Sequence, residues 1–420
     1  MNHEILKRVI YEQHRVIREA VIVQRDIPLE KDANYVLVGI RRAGKTTLLY
    51  QRVQDLIEEG VEWDQIVYVN FDDERLAGFA VEDFDDIVLV AEEMSAKKHY
   101  FYFDEIQNIT HWEKFAIRLA NQGHKVDITG SNATMLSLEI AAALGGRYIA
   151  KEVLPYSFPE YLRAHGASPR CYDTKGLARV NSLLEQYFYF GGFPASLGFS
   201  NKREYVESVY QKILFGDIVT HYHIRNSNGM RLLVAKLAES VMQSLSYTKL
   251  QNLITGIGYK LSKDIVIDYC LYCKEACLTF TLSNYFASFQ DKNSNPKFYF
   301  LDNGILHLFA DERDGALLEN LVALALYRAH KDSLYYLKGD RTDVDFYLAD
   351  SHRAIQVCYS LNAQSREREV QNLVALAKNA DEPPSLTIVT REEDGVIESD
   401  GFTIQVVSLK NFLLQENGSN

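Results

Sequence analysis

The chain has 420 residues, 47% of them hydrophobic and 24% charged, with a formal net charge of −12, so we expect two or three domains rather than one compact core. Its five cysteines are irregularly spaced, which gives no disulfide framework and fits a reducing compartment. No apolar run approaches the length of a membrane span, and the charged N-terminus does not resemble a secretory signal, so we expect a cytoplasmic protein without a membrane partner.

The first part of the chain predicts an α/β domain over residues 1–157. Residues 1–32 carry apolar side chains near helical spacing, which predicts one or two amphipathic helices. From Tyr35 onward, helix patterns alternate with short apolar strand patterns, namely YVLVG, IVYVNF, HYFYFDE, KVDITGSN and YIAKEVLP. This alternation predicts a doubly wound parallel sheet that is covered by helices on both faces.

The remaining chain predicts three further regions. Residues 158–228 have helical periods, interrupted by the turn-forming sequence GGFPA at Gly191–Ala195. Residues 229–300 predict three helices followed by a pair of short strands, which is the order of a winged helix. Residues 301–420 predict a small α/β domain with strands LYYLKG, DVDFYLAD, HRAIQVCYS and LTIVT.

The strongest chemical signal is GIRRAGKTT, which follows a predicted strand and opens a helix. Its glycines allow backbone angles that turn successive N–H groups toward phosphates, and the start of the helix adds its positive end. We expect Lys45 to contact the β and γ phosphates of ATP and Thr46 to hold Mg²⁺. The predicted nucleotide-binding residues are Gly39, Ile40, Arg41, Arg42, Ala43, Gly44, Lys45, Thr46 and Thr47.

The sequence FYFDE predicts the second half of this site, because an apolar strand ends there in two acids. We expect Asp104 to orient the Mg²⁺ ion and Glu105 to polarise the attacking water. Asn132, after the next strand, either orients the lytic water or senses the γ-phosphate, and the alternative is that it simply forms a turn. Arg147, after two glycines, is either an exposed surface charge or an arginine that reaches a γ-phosphate in this subunit or a neighbour.

The charge is distributed unevenly along the chain. Residues 51–110 contain sixteen Asp or Glu against four Lys or Arg, whereas residues 201–290 contain ten Lys or Arg against seven acids. Any DNA contact is therefore expected within residues 229–290, where Lys249, Lys260 and Lys263 are candidates for phosphate contacts. Winged helices also serve as protein-interaction modules, and the acidic overall charge favours that alternative slightly.

These motifs together resemble AAA+ ATPases, in particular a bacterial and archaeal branch in which an AAA-type domain precedes a C-terminal region of unassigned function. The matching sequences span most of the chain and are GIRRAGKTTLL, NFDDERL, YFYFDEIQNI, ITGSNA, LGGRYIAKEVLPYSFPEYL, GGFPA and FYFLDNGIL. The resemblance implies a P-loop NTPase core with strand order 5-1-4-3-2, a winged helix after it, and an oligomer or protein partner that completes the site.

The C-terminal region resembles the restriction-endonuclease-like fold, with Glu319 on a helix and Asp345 on a strand. The next strand has Gln356 and Cys358 where that fold has a carboxylate and a lysine. Gln is a poor Mg²⁺ ligand, and Cys does not replace the lysine that supports the nucleophile, so we expect a degenerate domain without nuclease activity. The helical stripe of Cys270, Cys273 and Cys277 predicts core packing rather than a zinc site.

Three functions follow from these patterns. The first is a Mg²⁺-dependent ATPase that couples its nucleotide state to conformational change or assembly. The second is a slow switch or scaffold that holds ATP or ADP and recruits a protein partner. The third is an ATPase that binds DNA through the winged helix.

Overall fold

The computed structural model describes residues 3–130, 144–170, 173–288, 292, 294–339 and 342–416. The chain divides into two compact units, Met1–Leu154 and Pro155–Asn420. The predicted boundaries after residues 228 and 300 subdivide the second unit, and they stay predictions. Within the described ranges, no helix is both long enough and apolar enough to span a membrane.

The first unit is built on a parallel sheet of five strands, counted over the described residues. The strands are β1 (Asn34–Val38), β2 (Ile66–Asn70), β3 (Tyr100–Asp104), β4 (Lys125–Thr129) and β5 (Tyr148–Glu152). Their order is β2-β3-β4-β1-β5 with every pairing parallel, which confirms the expected order 5-1-4-3-2. Because parallel strands end at the same edge, the segments that follow β1, β3 and β4 meet there.

Helices cover this sheet because each buries one apolar stripe. They are α1 (His3–Glu19), α2 (Lys45–Glu58), α3 (Phe84–Met94) and α4 (Trp112–Asn121), with short 3₁₀ helices at Trp63–Gln65, Glu74–Leu76, Val81–Asp83 and Ile106–Asn108. An aromatic cluster packs between sheet and helices, with the rings of Phe84 and Phe115 stacked 4.3 Å apart. The N-terminal pattern forms one helix, and residues 20–33 that follow it are irregular.

The second unit begins with helices and contains two sheets within the described residues. The helices are α5 (Phe158–Ala164), α6 (Thr174–Phe190), α7 (Lys202–Lys212), α8 (Ser227–Glu239), α9 (Tyr247–Gly256), α10 (Lys263–Glu275), α11 (Asn303–His307), α12 (Asp314–His330), α13 (Ala363–Asn379) and α14 (Leu409–Glu416). A π-helix at Ile213–Thr220 and 3₁₀ helices at Pro194–Gly198 and Lys331–Ser333 complete the helical elements that the structure describes.

Helices α8, α9 and α10 precede an antiparallel pair of strands, β6 (Thr279–Leu282) and β7 (Lys297–Phe300). This is the element order that the sequence predicts, and its assignment as a winged helix stays a prediction. Cys270, Cys273 and Cys277 are buried free thiols on and just after α10, and burial raises the pKa of Cys270 to about 12. These positions agree with the interpretation that the cysteines pack in the core.

The C-terminal sheet is mixed and has the order β12-β13-β11-β10-β9-β8 over the described residues. Its strands are β8 (Leu334–Lys338), β9 (Asp343–Leu348), β10 (Arg353–Cys358), β11 (Ser385–Thr390), β12 (Gly395–Ser399) and β13 (Phe402–Ser408). The sequence predicts the first four of these strands. The β12–β13 hairpin is not among the predicted elements, although the Asp400–Gly401 pair at its turn has the positive φ angles of a tight hairpin.

Two sequence motifs of the second unit form one contact. The Asp302 carboxylate caps α11 by accepting hydrogen bonds from the N–H groups of Gly304 and Ile305, and it also accepts one from the N–H of Gly192, at 2.8 Å. The peptide N–H of Tyr156 donates in turn to the Gly192 carbonyl. A β-carbon at position 192 would lie 2.3 Å from the Tyr156 carbonyl oxygen, so this approach requires glycine.

We expect Gly192→Ala to lower the free energy of unfolding by roughly 3 kcal/mol or more, because backbone atoms would have to move apart. Urea unfolding of the full chain measures this change. The control is Gly315→Ala in α12, where a β-carbon meets no atom within 4 Å. We expect the control to stay within about 1 kcal/mol of the wild type. Equal stabilities for the two variants would contradict the packing argument.

Candidate nucleotide-binding site

The predicted phosphate loop connects β1 to α2 at the carboxyl edge of the first sheet. Arg42 and Gly44 have φ angles of 66° and 95°, which wrap the backbone around the loop interior. Gly39 has a φ of 145°, and a β-carbon there would lie 2.1 Å from the Val153 carbonyl oxygen. Glycine is therefore required at the first position of the loop for a steric reason as well as a conformational one.

Lys45 is the first residue of α2 and is 5% exposed. Its Nζ donates hydrogen bonds to the carbonyl oxygens of Gly39, at 2.9 Å, and Ile40, at 3.2 Å. The ammonium is therefore held across the loop that precedes it, among backbone groups and beside the positive end of α2. This placement gives the loop a concentrated positive charge, as binding of a polyphosphate requires.

The structure brings Thr46 and Asp104 together although they are 58 residues apart. The Thr46 hydroxyl donates to Asp104 Oδ2 at 2.8 Å, and the Tyr68 hydroxyl donates to the same oxygen at 3.1 Å. The Thr129 hydroxyl donates to Asp104 Oδ1. Asp104 is 1% exposed, and burial raises its pKa above the ordinary range while these hydroxyl donors lower it.

This arrangement fits a divalent cation. Among the described residues, no lysine, arginine or histidine forms an ion pair with Asp104, so its buried charge is balanced only by hydroxyl dipoles. A buried carboxylate gains stability from a cation, and Mg²⁺ prefers carboxylate and hydroxyl oxygens together with phosphate oxygens. Thr46 and Asp104 are the residues that would hold the ion beside the phosphate loop.

Glu105 lies immediately beyond the end of β3 and has a left-handed backbone with a φ of 52°. Its N–H donates to Thr129 Oγ1 at 3.1 Å, which fixes the turn, and its carboxylate accepts a hydrogen bond from the Gln107 side chain. A left-handed glutamate is uncommon and costs conformational energy, so the turn is held by these contacts. The backbone therefore leaves the extended strand conformation of Asp104 at Glu105.

The structure does not bring Arg147 to the loop of its own chain. Arg147 is exposed, its Nε donates to Asn121 Oδ1 at 2.6 Å, and it precedes β5. Tyr148 pairs with Asn34 at the amino end of β1, whereas the loop follows its carboxyl end. The length of the strand separates Arg147 from the loop by roughly 16 Å. The structure therefore does not support contact of Arg147 with a γ-phosphate bound in its own subunit. Contact with a γ-phosphate of a neighbouring subunit stays a proposal.

Asn132 lies outside the described residues, so its predicted role stays a prediction. Sequence reasoning missed three residues that contact the predicted carboxylates, namely Tyr68, Gln107 and Thr129. Thr129 is the last residue of β4, so its position at the edge where β3 ends was a readable signal. Tyr68 and Gln107 carry no comparable signal, because an aromatic residue in a strand and a polar residue in a loop are common.

A second cluster of charged residues is largely buried in the second unit. The predicted Glu319 and Asp345 lie there with Lys297, whose Nζ is 3.4 Å from Glu319 Oε1 and 3.1 Å from Asp345 Oδ1. The Tyr299 hydroxyl donates to Glu319 at 2.7 Å. Burial and the neighbouring Asp345 raise the pKa of Glu319 above its ordinary range. Burial lowers the pKa of Lys297, but the carboxylates of Glu319 and Asp345 raise it by more, so the pKa lies above its ordinary range.

The predicted Gln356 joins this cluster through both polar atoms of its side-chain amide. Its Oε1 accepts from the N–H of Asp345, and its Nε2 donates at 2.6 Å to Glu369, a buried residue of α13. The Cys358 thiol instead contacts the Ser360 carbonyl. Lys297 thus places its ammonium between the carboxylates of Glu319 and Asp345. The described residues contain no group of three or more His, Cys, Asp or Glu that could hold a metal ion.

The chain is similar to known proteins over most of its length. Family models match an AAA domain over residues 31–162 and a domain of unknown function, DUF8612, over residues 181–314. The uncharacterized protein MJ1544 of Methanocaldococcus jannaschii is 31% identical over 93% of this chain and 90% of its own length. A Haemophilus influenzae protein is 28% identical, over 92% and 96% respectively. Among solved structures, the Walker-type ATPase PABY2304 of Pyrococcus abyssi aligns at 12% identity with a TM-score of 0.42, covering 72% of this chain and 94% of that one.

We expect Lys297→Met to lower the free energy of unfolding by about 3–5 kcal/mol, because it leaves the buried Glu319 carboxylate and the half-buried Asp345 carboxylate without a cation. Adding Glu319→Gln should recover part of this loss, since one of the two charges is then removed. The control is Lys338→Met, whose ammonium is half-exposed and 3.7 Å from Asp343. Its loss should cost about 1 kcal/mol or less. Equal denaturation midpoints for Lys297→Met and the control would contradict the interpretation that Lys297 stabilises the unit by pairing with the two carboxylates.

Proposed function

We propose that this chain, which belongs to the family of the uncharacterized protein MJ1544 and contains an AAA domain, binds ATP with Mg²⁺ and hydrolyses it. The observation that carries the proposal is the hydrogen bond from Thr46 to Asp104. It joins the phosphate loop to the carboxylate that ends β3, which are the two parts of a site for a nucleotide and its metal ion. Bound Mg²⁺ would supply charge neutralisation of the β and γ phosphates.

The protein groups have separate tasks in this proposal. Backbone N–H groups from Gly39 to Thr47 bind the phosphate oxygens, and Lys45 adds its charge to the β and γ phosphates. Glu105 accepts a hydrogen bond from the attacking water and aligns it with the γ-phosphate. The left-handed turn and the Gln107 side chain hold the Glu105 carboxylate for that task.

We expect Glu105→Gln to keep Mg²⁺–ATP binding while phosphate release falls by about 10²–10⁴-fold, because the amide is isosteric but no longer a base. Lys45→Ala is the matched variant, and it should lose affinity for ATP itself. Binding is measured by calorimetry and turnover by phosphate release, on size-fractionated protein with and without DNA. A wild-type chain that neither binds ATP nor releases phosphate in any fraction would end the proposal.

The same assay separates the two alternatives. A wild-type protein that binds ATP tightly and releases phosphate slowly would favour the switch that recruits a protein partner. Stimulation by DNA would favour contact through residues 229–290. A face with three apolar residues and as many acids as lysines fits a protein better than a phosphate backbone. The exposed residues of α10 are Lys263, Asp264, Ile265, Ile267, Asp268, Leu271 and Lys274. A cytoplasmic location is likewise part of the proposal.

We further propose that Arg147 completes the site of a neighbouring copy. Arg147→Ala should then lower turnover by about 10³-fold while leaving ATP affinity nearly unchanged. Mixing it with Lys45→Ala should restore part of the activity, since one variant keeps the nucleotide site and the other keeps the arginine. Arg118→Ala removes another exposed arginine of the same unit, paired with Asp85, and serves as the control. Full activity of Arg147→Ala by itself would leave this residue a surface charge.

A further inference from the structure

Arg25 is buried in a segment that is otherwise exposed or half-buried. Between Ala20 and Ala33 it is the single buried residue, with 4% of its surface exposed. Burying a guanidinium costs free energy unless hydrogen bonds replace its water, so its position requires specific partners. The irregular backbone around Arg25 is therefore held by what its side chain contacts.

The guanidinium of Arg25 joins two backbone segments. One terminal nitrogen donates to the Ala43 carbonyl at 2.9 Å, and the other donates to the Leu154 carbonyl at 2.7 Å. The Arg25 N–H also donates to the Gln51 side chain on α2 at 2.9 Å. Arginine suits this geometry because its planar fork presents several donors in fixed directions, whereas a lysine is a single point charge.

The contact with Ala43 sets the direction of a phosphate-binding amide. The carbonyl of Ala43 and the N–H of Gly44 belong to one planar trans peptide, so the two bonds point in opposite directions. Since Arg25 holds the Ala43 oxygen on its own side, the Gly44 N–H points away from Arg25. A charge-assisted hydrogen bond to the carbonyl resists rotation of this peptide plane.

The contact with Leu154 lies where the first unit ends. The same short segment also touches the start of the phosphate loop, because Gly39 packs against the backbone of Val153 and the Val153 N–H donates to the Val38 carbonyl at 2.7 Å. Residues 153 and 154 are therefore bound to both ends of the loop, directly at Gly39 and through Arg25 at Ala43.

We propose that Arg25 is a positioning residue that orients the Gly44 amide toward the phosphates. Through the same side chain, the nucleotide state of the loop is transmitted to Leu154, the last residue of the first unit. The inference rests on the proposed function, since it requires a nucleotide at the loop. Phosphate binding pulls the amide and its peptide plane, the Ala43 carbonyl moves with them, and the rigid guanidinium passes this displacement to the Leu154 carbonyl. The chain then continues covalently into the second unit.

The test is hydrogen exchange of the full chain with and without saturating Mg²⁺–ATP, read on peptides that cover residues 148–164. The variants are Arg25→Met and Arg25→Lys, and the control is Arg52→Met. Arg52 is also a largely buried arginine, paired with Asp127 at 2.6 Å, and within the described residues it forms no hydrogen bond or ion pair with the loop. Calorimetry of the same samples gives the ATP affinity.

We expect ATP to slow exchange in residues 148–164 of the wild type and of Arg52→Met. Both Arg25 variants should lose this effect at saturating ATP, with affinity lowered about tenfold because one phosphate-binding amide is less well oriented. Should Arg25→Met fail to fold, Arg25→Lys carries the test, since an ammonium does not hold both carbonyls as the fork does.

Two results would overturn the inference and leave the proposed function intact. One is a wild type that binds ATP without any change in residues 148–164. The other is an Arg25→Lys or Arg25→Met protein that keeps the wild-type change. A wild type that does not bind ATP at all would refute the proposed function first and this inference with it. A purely structural role for Arg25 predicts lower stability but an unchanged response to ATP.

Discussion

The buried carboxylate of Asp104 is the constraint on which the candidate site depends. It lies at the carboxyl end of β3, beside the phosphate loop, and three hydroxyl groups donate to it. Burial disfavours its charged form, and hydroxyl dipoles offset only part of that cost. A divalent cation shared with a polyphosphate would supply the missing positive charge. The proposed complex of Mg²⁺ with ATP would meet this requirement, and the hydrogen bond from Thr46 holds the loop and β3 in contact.

The second unit solves the same electrostatic problem in another way. Glu319 of α12 and Asp345 of β9 are brought together around Lys297, and the restriction-endonuclease-like fold of this region stays a prediction. Lys297 then places its own ammonium against both carboxylates. The positive charge is covalently part of the chain and offsets one of the two carboxylates, while burial raises the pKa of Glu319 and so disfavours the second negative charge. That arrangement favours a role in holding the unit together over a role in cleaving a phosphodiester, and the absence of nuclease activity stays a prediction.

Both units use backbone approaches that a side chain would prevent. Gly39 lies against Val153 at the start of the phosphate loop, and Gly192 lies against Tyr156 in the second unit. In each case a polar side chain from a distant part of the chain ties the same region, Arg25 in the first unit and Asp302 in the second. Close backbone contacts of this kind leave no room for a β-carbon, so glycine is required at both positions.

The sequence by itself determined the features that depend on neighbouring residues. The loop from Gly39 to Thr47 is readable because phosphate binding needs glycines, a lysine and a hydroxyl at fixed spacing, and the parallel sheet is readable because buried strands are short apolar runs. Only the tertiary structure decided which distant charges meet. Arg25 and Lys297 carry no local pattern, since their partners lie far along the chain. The register of β5 on β1 likewise placed Arg147 at the far edge of the sheet, because strand pairing fixes direction and offset that composition does not encode.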